Sequence, residues 1–368
     1  MNKITNLNEE DPLTWAEKAC KSMMNQFTPS QLPPQNRWHY HQGVFLSGML
    51  EVFKETQGNE YYNYVKAYVD NLIDEEGNFL FARSELDAIQ PGLLLLYLYK
   101  HTGDKRYKIA SEKLRNVLRT INKTREGGYW HKDKYPYQMW LDGLYMAGPF
   151  AIQFGQLFNE PKLIDLVLYQ EQLMRSHTKN KENGLYHHGW DEKAEQPWAT
   201  SSGRAPEVWG RALGWYAMVL TYFLELLPQS HSKQQELQLV LSDLFDSLNR
   251  YQDENSGLWY QVIDKGHLED NWLESSCSCL FVYAMAKAVN NNYVDKKYIK
   301  NAQKGYAGIL KHSTQVDSNN NLFLSDICIG TSIGDYNYYV GRDTIKNDLH
   351  GVGAFILASV EMHKFFNL

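Results

Sequence analysis

Leu93-Leu-Leu-Leu-Tyr-Leu-Tyr99 and Cys279-Leu-Phe-Val-Tyr-Ala-Met-Ala286 are helical runs with no polar face, and a helix that is apolar all round must be covered on every side. Each is followed by a tight polar turn, Thr102-Gly-Asp104 or Asn290-Asn-Asn-Tyr293, and then by an amphipathic stretch. The same pairing recurs along the chain. Amphipathic helices are expected at 13–27, 60–74, 105–121, 161–176, 234–251 and 295–312, and Tyr61, Val65, Tyr68, Val69 and Leu72 show their one-sided pattern. More apolar helices, richer in small residues, are expected at 43–55, 87–100, 142–155, 207–226, 273–288 and 349–365.

Between the two helices of each unit lies a short aromatic segment. The six are Arg37-Trp-His-Tyr-His41, Gly77-Asn-Phe-Leu80, Gly127-Gly-Tyr-Trp130, Gly184-Leu-Tyr-His187, Gly257-Leu-Trp-Tyr260 and Asn321-Leu-Phe-Leu324. Six half-exposed and six buried helices predict an all-α chain folded as an (α/α)6 barrel of six helical hairpins. Its inner helices run parallel and its outer helices wrap them. An open solenoid competes, but solenoid repeats hold a tight period, whereas these units vary over roughly 40 to 75 residues. No Pro- or Ser-rich linker interrupts residues 1–368, so one domain is expected. Closure brings all six aromatic segments to one end.

The totals narrow the function. With 368 residues, 43% of them hydrophobic, a large core is available, and a net charge of −6 argues against nucleic acid as a partner. Ten Trp and 25 Tyr are many for this length; such rings line sugar-binding clefts, although they also fill helical cores. The start, Met1-Asn-Lys-Ile-Thr-Asn-Leu-Asn-Glu-Glu-Asp11, lacks the apolar run of a leader, and no run of 18 apolar residues occurs, so a cytoplasmic protein without membrane contact is expected. Cys20, Cys277, Cys279 and Cys328 suit that compartment. Cys277 and Cys279 lack the CxxC spacing and read as small buried side chains. HExxH, P-loop and GxGxxG motifs are missing, and neither a metal nor another cofactor is expected.

The segments leading into the buried helices carry a concentration of Trp, His and acid. They hold Trp38, His39, Tyr40 and His41; Arg83, Glu85 and Asp87; Trp130, His131, Lys132, Trp140 and Asp142; His188, Trp190 and Asp191; Arg204, Glu207, Trp209 and Arg211; Trp272 and Glu274; and Asp343, Asp348 and His350. Any one of these reads alone as a surface or capping residue; their convergence points to a cleft. Asp142 lies in Tyr135-Pro-Tyr-Gln-Met-Trp-Leu-Asp-Gly-Leu-Tyr-Met-Ala-Gly-Pro-Phe150 among aromatics that would push its pKa up, although a carboxylate at a helix start is more often an N-cap. Asp87 and Asp142 each begin a buried helix in adjacent units and are expected to face each other. Two close carboxylates share a proton, one serving as acid and the other as base or stabiliser, a glycosidase-like pair. Arg211 and Lys132, with His131 and His188, would hold an anionic group such as a uronate.

Taken together, Arg37-Trp-His-Tyr-His-Gln-Gly43, Glu85-Leu-Asp-Ala-Ile-Gln90, Trp130-His-Lys-Asp133, the 135–146 stretch, His188-Gly-Trp-Asp191, Pro206-Glu-Val-Trp-Gly-Arg211 and Asp270-Asn-Trp-Leu-Glu-Ser-Ser276 resemble glycoside hydrolase family 105, the unsaturated rhamnogalacturonyl hydrolases. The likeness runs from about residue 12 to the end. It implies a catalytic (α/α)6 barrel, expected to be monomeric, for pectin breakdown. The substrate would be a rhamnogalacturonan oligosaccharide with a 4,5-unsaturated galacturonic acid at its non-reducing end. In this family an Asp protonates C4, water adds at C5 and the hemiketal opens. The resemblance places the acid/base on Asp142 with Asp87 beside it, and substrate contacts on Tyr40, His131, Lys132, Trp140, His188, Trp209 and Arg211. Ala205, where Ser is expected, and Arg204 in Ser201-Ser-Gly-Arg204 depart from the pattern and bear on subsite preference. The sister group acting on unsaturated glucuronyl units of glycosaminoglycans is the alternative.

Overall fold

The computed structural model describes residues 10–80 and 83–367; residues 1–9, where a leader was sought, lie outside the described residues. The amphipathic stretches form α1 (Pro12–Gln26), α3 (Asn59–Asp70), α5 (Lys105–Thr120), α7 (Lys162–Thr178), α9 (Gln234–Arg250) and α11 (Ile299–His312). Alternating with them are α2 (Tyr40–Thr56), α4 (Gly92–Thr102), α6 (Asp142–Leu157), α8 (Gly210–Leu226), α10 (Ser275–Asn290) and α13 (Leu349–Asn367). The second set packs in sequence, α2 on α4, α4 on α6, α6 on α8, α8 on α10, α10 on α13 and α13 back on α2. That circuit is a closed (α/α)6 barrel, with the expected inner and outer rings.

The outer helices pack mainly on the inner helix that precedes them, across the tight polar turns, and α1 packs on α13. The inner faces are filled to near-zero exposure, as at Leu94, Leu95, Leu96, Cys279, Phe281 and Val282. Burying such runs is the main favourable term for this fold, about 25 cal/mol per Å² of apolar surface. All four cysteines are free and buried, Cys277 and Cys279 as their spacing suggested. No helix among the described residues is long and apolar enough to cross a membrane.

The aromatic segments turn out to serve the core as much as the cleft. Trp38, Tyr129, Tyr186 and Trp259 are buried, and Trp38 Nε1 donates to the Ala88 carbonyl at 2.8 Å, tying the first unit to the second. Their glycines Gly77, Gly127, Gly184 and Gly257 all have positive φ, and Asn320 takes the same conformation in the sixth unit. A repeated left-handed residue turns the chain from each outer helix towards the end where the inner helices begin. The sequence reading did not anticipate the short pairings at that end: β1 (Gln138–Trp140) with β2 (Gly189–Asp191), β3 (Thr314–Val316) with β4 (Leu322–Leu324), and β5 (Ile327–Cys328) with β6 (Thr344–Ile345). It also missed α12 (Tyr336–Val340). Strands of two or three residues leave no alternation to detect.

Asp87 does not begin an inner helix. It lies in a 3-10 turn, Leu86–Ala88, and α4 starts only at Gly92, after Pro91; a proline disfavours helical conformation in the residue before it. Asp142 is the first residue of α6, as expected.

Gly257 has φ +77, and a Cβ there would stand 2.5 Å from the Lys304 carbonyl oxygen, whereas Gly103 at φ +70 has nothing within 4 Å. Gly103→Ala should therefore cost about 1–2 kcal/mol from conformation alone, and Gly257→Ala clearly more. Denaturant titration of both variants checks the ordering, and equal losses would contradict it.

Candidate active site

A cavity of about 500 Å³ opens at the end where the inner helices begin. Parallel helices direct their N-terminal N–H groups and positive dipole ends to that side, which favours anions. The cavity is lined by Tyr40, Asp87, His131, Lys132, Trp140, Asp142, Trp209 and Arg211, eight of the nine residues singled out from the sequence. The ninth, His188, is fully buried directly behind Asp142.

The positions follow from backbone pairing between neighbouring units. β1 pairs with β2 in antiparallel register, Trp140 opposite Gly189. The Leu141 N–H donates to the His188 carbonyl at 3.0 Å, and the His188 N–H donates to the Glu207 carbonyl at 3.2 Å. Three successive loops are thus laced together, and His188 Nε2 comes to 3.3 Å from Asp142 Oδ2. On its other side, His188 Nδ1 lies 2.7 Å from the Tyr339 hydroxyl, which accepts from the Gly334 N–H at 3.3 Å. With that N–H donating to the phenol oxygen, Tyr339 donates its own proton to Nδ1. The imidazole proton then sits on Nε2, facing Asp142. Tyr339 was not recognised from the sequence. The only signal was the aromatic density of Asp335-Tyr-Asn-Tyr-Tyr-Val340, where Asp335 caps α12 through the Tyr338 N–H at 2.9 Å.

Asp87 is enclosed by cations and imidazoles. Lys132 Nζ is ion-paired with Asp87 Oδ2, His39 Nε2 is 3.2 Å from the same oxygen and His131 Nε2 is 3.5 Å from Oδ1. Burial pushes the Asp87 carboxyl up, but His131, Lys132 and His39 outweigh it and hold the group well below the usual carboxylate range. Burial also pushes His39 and His131 down to about 4. At neutral pH both imidazoles are therefore uncharged, and Lys132 is the fixed charge that keeps Asp87 ionised. Lys132 is thus committed to a carboxylate of the protein and is not the free anion donor expected from the sequence.

The charge state of Asp142 also departs from expectation. Burial pushes its carboxyl up, as the aromatic surroundings suggested, yet contact with His188 and the nearby His131 reverse the balance, and its net direction is down. At neutral pH Asp142 is therefore an ionised carboxylate. Trp140 stacks on His131, with centroids 4.1 Å apart and planes 11° apart, and lies 5.1 Å from the His188 ring. One indole thereby braces the surroundings of both acids.

Arg211 is buried, with its guanidinium 4.5 Å from the centre of the Trp209 ring. Nη1 donates to the Cys328 carbonyl and Nη2 to that of Ile329, the latter at 2.7 Å. Two of its five N–H groups are used by the β5 segment, and three remain for a ligand. Trp209 Nε1 donates to Gln261 Oε1 at 3.0 Å, and Gln261 Nε2 donates to the Tyr339 carbonyl at 3.0 Å. One amide therefore ties the Trp209 platform to the residue behind His188.

Other residues of the sequence list hold structure. Glu274 accepts from the Cys277 and Cys328 N–H groups at 2.6 and 2.9 Å, Asp191 caps the 193–196 loop, and Glu207 pairs with Lys265 at 2.7 Å. Ala205 is buried beside Trp140 and Ile333, so it supports the indole. Arg204 lines a separate polar cleft with His177 and Lys179 and does not reach the cavity. Among the described residues, two groups have metal-ligand chemistry, His39 with Glu85 and Asp87, and His41 with Asp348 and His350. In the first, the Lys132 ammonium already meets the charge. In the second, Asp348 Oδ1 is within 2.7 and 2.9 Å of the two imidazole Nδ1 atoms and serves as their shared acceptor.

Lys132→Met should raise the Asp87 pKa, because the one fixed cation that opposes burial of the carboxylate is gone. Carboxyl carbon NMR titration reads this directly, and an unmoved Asp87 would show that Lys132 is not its counter-charge.

Comparison with known proteins fits this geometry. Residues 15–366 match Glycosyl Hydrolase Family 88. The unsaturated rhamnogalacturonyl hydrolase YesR of Bacillus subtilis is 29% identical over 304 residues, 81% of this chain and 83% of YesR. A C. acetobutylicum glycoside hydrolase from family 105 superposes with a TM-score of 0.90 at 30% identity, over 95% of this chain and 99% of that one. An unsaturated glucuronyl hydrolase specific for heparin shares the fold, with a TM-score of 0.73 at 14% identity over 97% of this chain and 96% of that one. Matched along nearly its whole length by the family 88 pattern and by a family 105 structure, the chain is a glycoside hydrolase and belongs to glycoside hydrolase family 105.

Proposed function

We propose that the protein is an unsaturated rhamnogalacturonyl hydrolase. It would hydrate the C4=C5 double bond of an unsaturated galacturonic acid at the non-reducing end of a rhamnogalacturonan oligosaccharide, acting as a single catalytic domain and monomer in the cytoplasm. The observation that carries the reading is the unequal pair of carboxylates. Asp87 is neutralised by Lys132, while Asp142 is held by one polarised imidazole, in a cavity also lined by Arg211, Trp209 and Trp140. Likeness to YesR supports the choice of rhamnogalacturonan.

The chemistry follows from those charges. The substrate carboxylate meets the remaining N–H groups of Arg211 and the starts of α6 and α8. Its negative charge enters the buried space beside Asp142 and pushes that group up, so binding is coupled to protonation of Asp142. Asp142 then delivers its proton to C4. Positive charge develops at C5 and is shared with the ring oxygen, and ionised Asp87 stabilises it across the cavity. Water adds at C5 and gives its proton to Asp142, which ends as it began. The hemiketal opens and releases the rest of the chain, with rhamnose at its new end. Tyr40, His131 and Trp140 shape the pocket around the reacting ring, and Trp209 offers it a flat face.

Asp142→Asn should lower kcat by about three orders of magnitude or more, read as the loss of ultraviolet absorbance from the double bond in unsaturated galacturonyl-rhamnose. Comparable turnover of a saturated analogue, or faster turnover of an unsaturated chondroitin disaccharide, would overturn the assignment. Tyr339→Phe should cut kcat about tenfold to a hundredfold with little change in KM, because it frees the His188 tautomer while leaving the cavity wall intact. A loss confined to KM would argue against that role.

The pH profile has a definite sign. The acid must be protonated, so activity falls as pH rises. Because bound substrate raises the pKa of Asp142, the alkaline limb of kcat should lie at higher pH than that of kcat/KM. Coincident limbs would exclude substrate-coupled proton uptake.

A further inference from the structure

The cavity has a buried floor and a cationic mouth. The floor holds Asp87, His131, Asp142, Trp209 and Arg211. Arg37, Lys134 and Arg342 also line the cavity, and all three are half-buried or exposed. Lys134 Nζ lies 4.7 Å from the centre of the Tyr135 ring, and the Arg342 guanidinium lies 5.1 Å from that of Tyr338. Tyr135 and Tyr338 line the same space, so the mouth presents two rings, each with a cation above it. Arg342 is held in place, its Nη2 donating to the Gly330 carbonyl at 2.6 Å and its Nε to Thr331 Oγ1 at 3.3 Å. Among the described residues, none of the three cations has a carboxylate within ion-pairing distance, in contrast to Lys132 below them. In a chain of net charge −6, three cations without a carboxylate partner around one opening concentrate positive potential there.

A single uronate seated against Asp142 and Arg211 leaves this mouth unfilled, since the cavity of about 500 Å³ runs continuously from floor to rim. An aromatic ring beneath a cation suits a pyranose that stacks its C–H face on the ring and extends an acidic substituent to the charge. We propose that the mouth is a second anion subsite, taking the carboxylate of a sugar two rings beyond the unsaturated uronate. The preferred substrate is then an oligosaccharide of at least three rings in which acidic and neutral sugars alternate. This rests on the reading under Proposed function. The second ring, a neutral deoxy sugar, spans the gap without a charge to place, and the third brings the next uronate to Arg37, Lys134 and Arg342.

The test compares kcat/KM at low salt for three substrates: the unsaturated disaccharide, the tetrasaccharide with an acidic third ring, and that tetrasaccharide with the third carboxyl reduced to an alcohol. For the wild-type enzyme the acidic tetrasaccharide should exceed both others by about tenfold, through KM, and the advantage should shrink as sodium chloride is raised. In the Lys134→Ala/Arg342→Ala double variant the ratio of acidic to reduced tetrasaccharide should fall to near one. A wild-type ratio near one, or a ratio that survives the double substitution, overturns the second subsite; the wild-type comparison decides even if the variant does not fold. Absence of any turnover of all three unsaturated substrates would instead overturn the hydrolase reading on which the subsite depends.

Discussion

Every inner helix of this barrel runs in the same direction, and most of what the protein can do follows from that constraint. Six parallel helices expose their unsatisfied N–H groups at one end, so the loops entering them meet in a small space that favours negative charge. The chain fills that space with its own acids before any ligand arrives. Lys132 neutralises Asp87, with two uncharged imidazoles beside it, and His188 engages Asp142. The two carboxylates have similar burial but different partners, and the partners give them different chemistry.

The site is rigid for reasons that lie mostly outside it. His188 is held through both backbone groups by the loops on either side, and its ring is fixed by Tyr339 from a distant part of the chain. Gln261 joins Trp209 to that same tyrosine segment. Removing a member of this second layer should therefore change proton transfer more than binding.

Much of this was legible in the sequence. Apolar runs such as 93–99 and 279–286 specified buried helices, and closure of the barrel followed from the irregular period. Asp142, Asp87 and their neighbours stood out because acids and histidines crowd the segments before those helices. Charge state was not legible, because the pKa of Asp142 depends on a 3.3 Å approach by a residue 46 positions later in the chain. The engagement of Lys132 with Asp87 was hidden in the same way. Tyr339 lay in a helix of five residues, too short for any periodicity. Abundant tryptophan pointed towards sugar, yet Trp38, Trp215 and Trp259 are fully buried packing residues, so composition carried less information than position.

The packing of α1 on α13 has a consequence for how the molecule is made. The first outer helix has its main partner in the last inner one, so during synthesis it must wait for nearly the whole polypeptide before its apolar face is covered. The two acids, fewer than sixty residues apart, are translated early, but the tyrosine that orients the histidine behind Asp142 emerges close to the end. A nascent chain therefore carries both carboxylates long before it carries the means to set their protonation, and catalytic competence arrives only with ring closure.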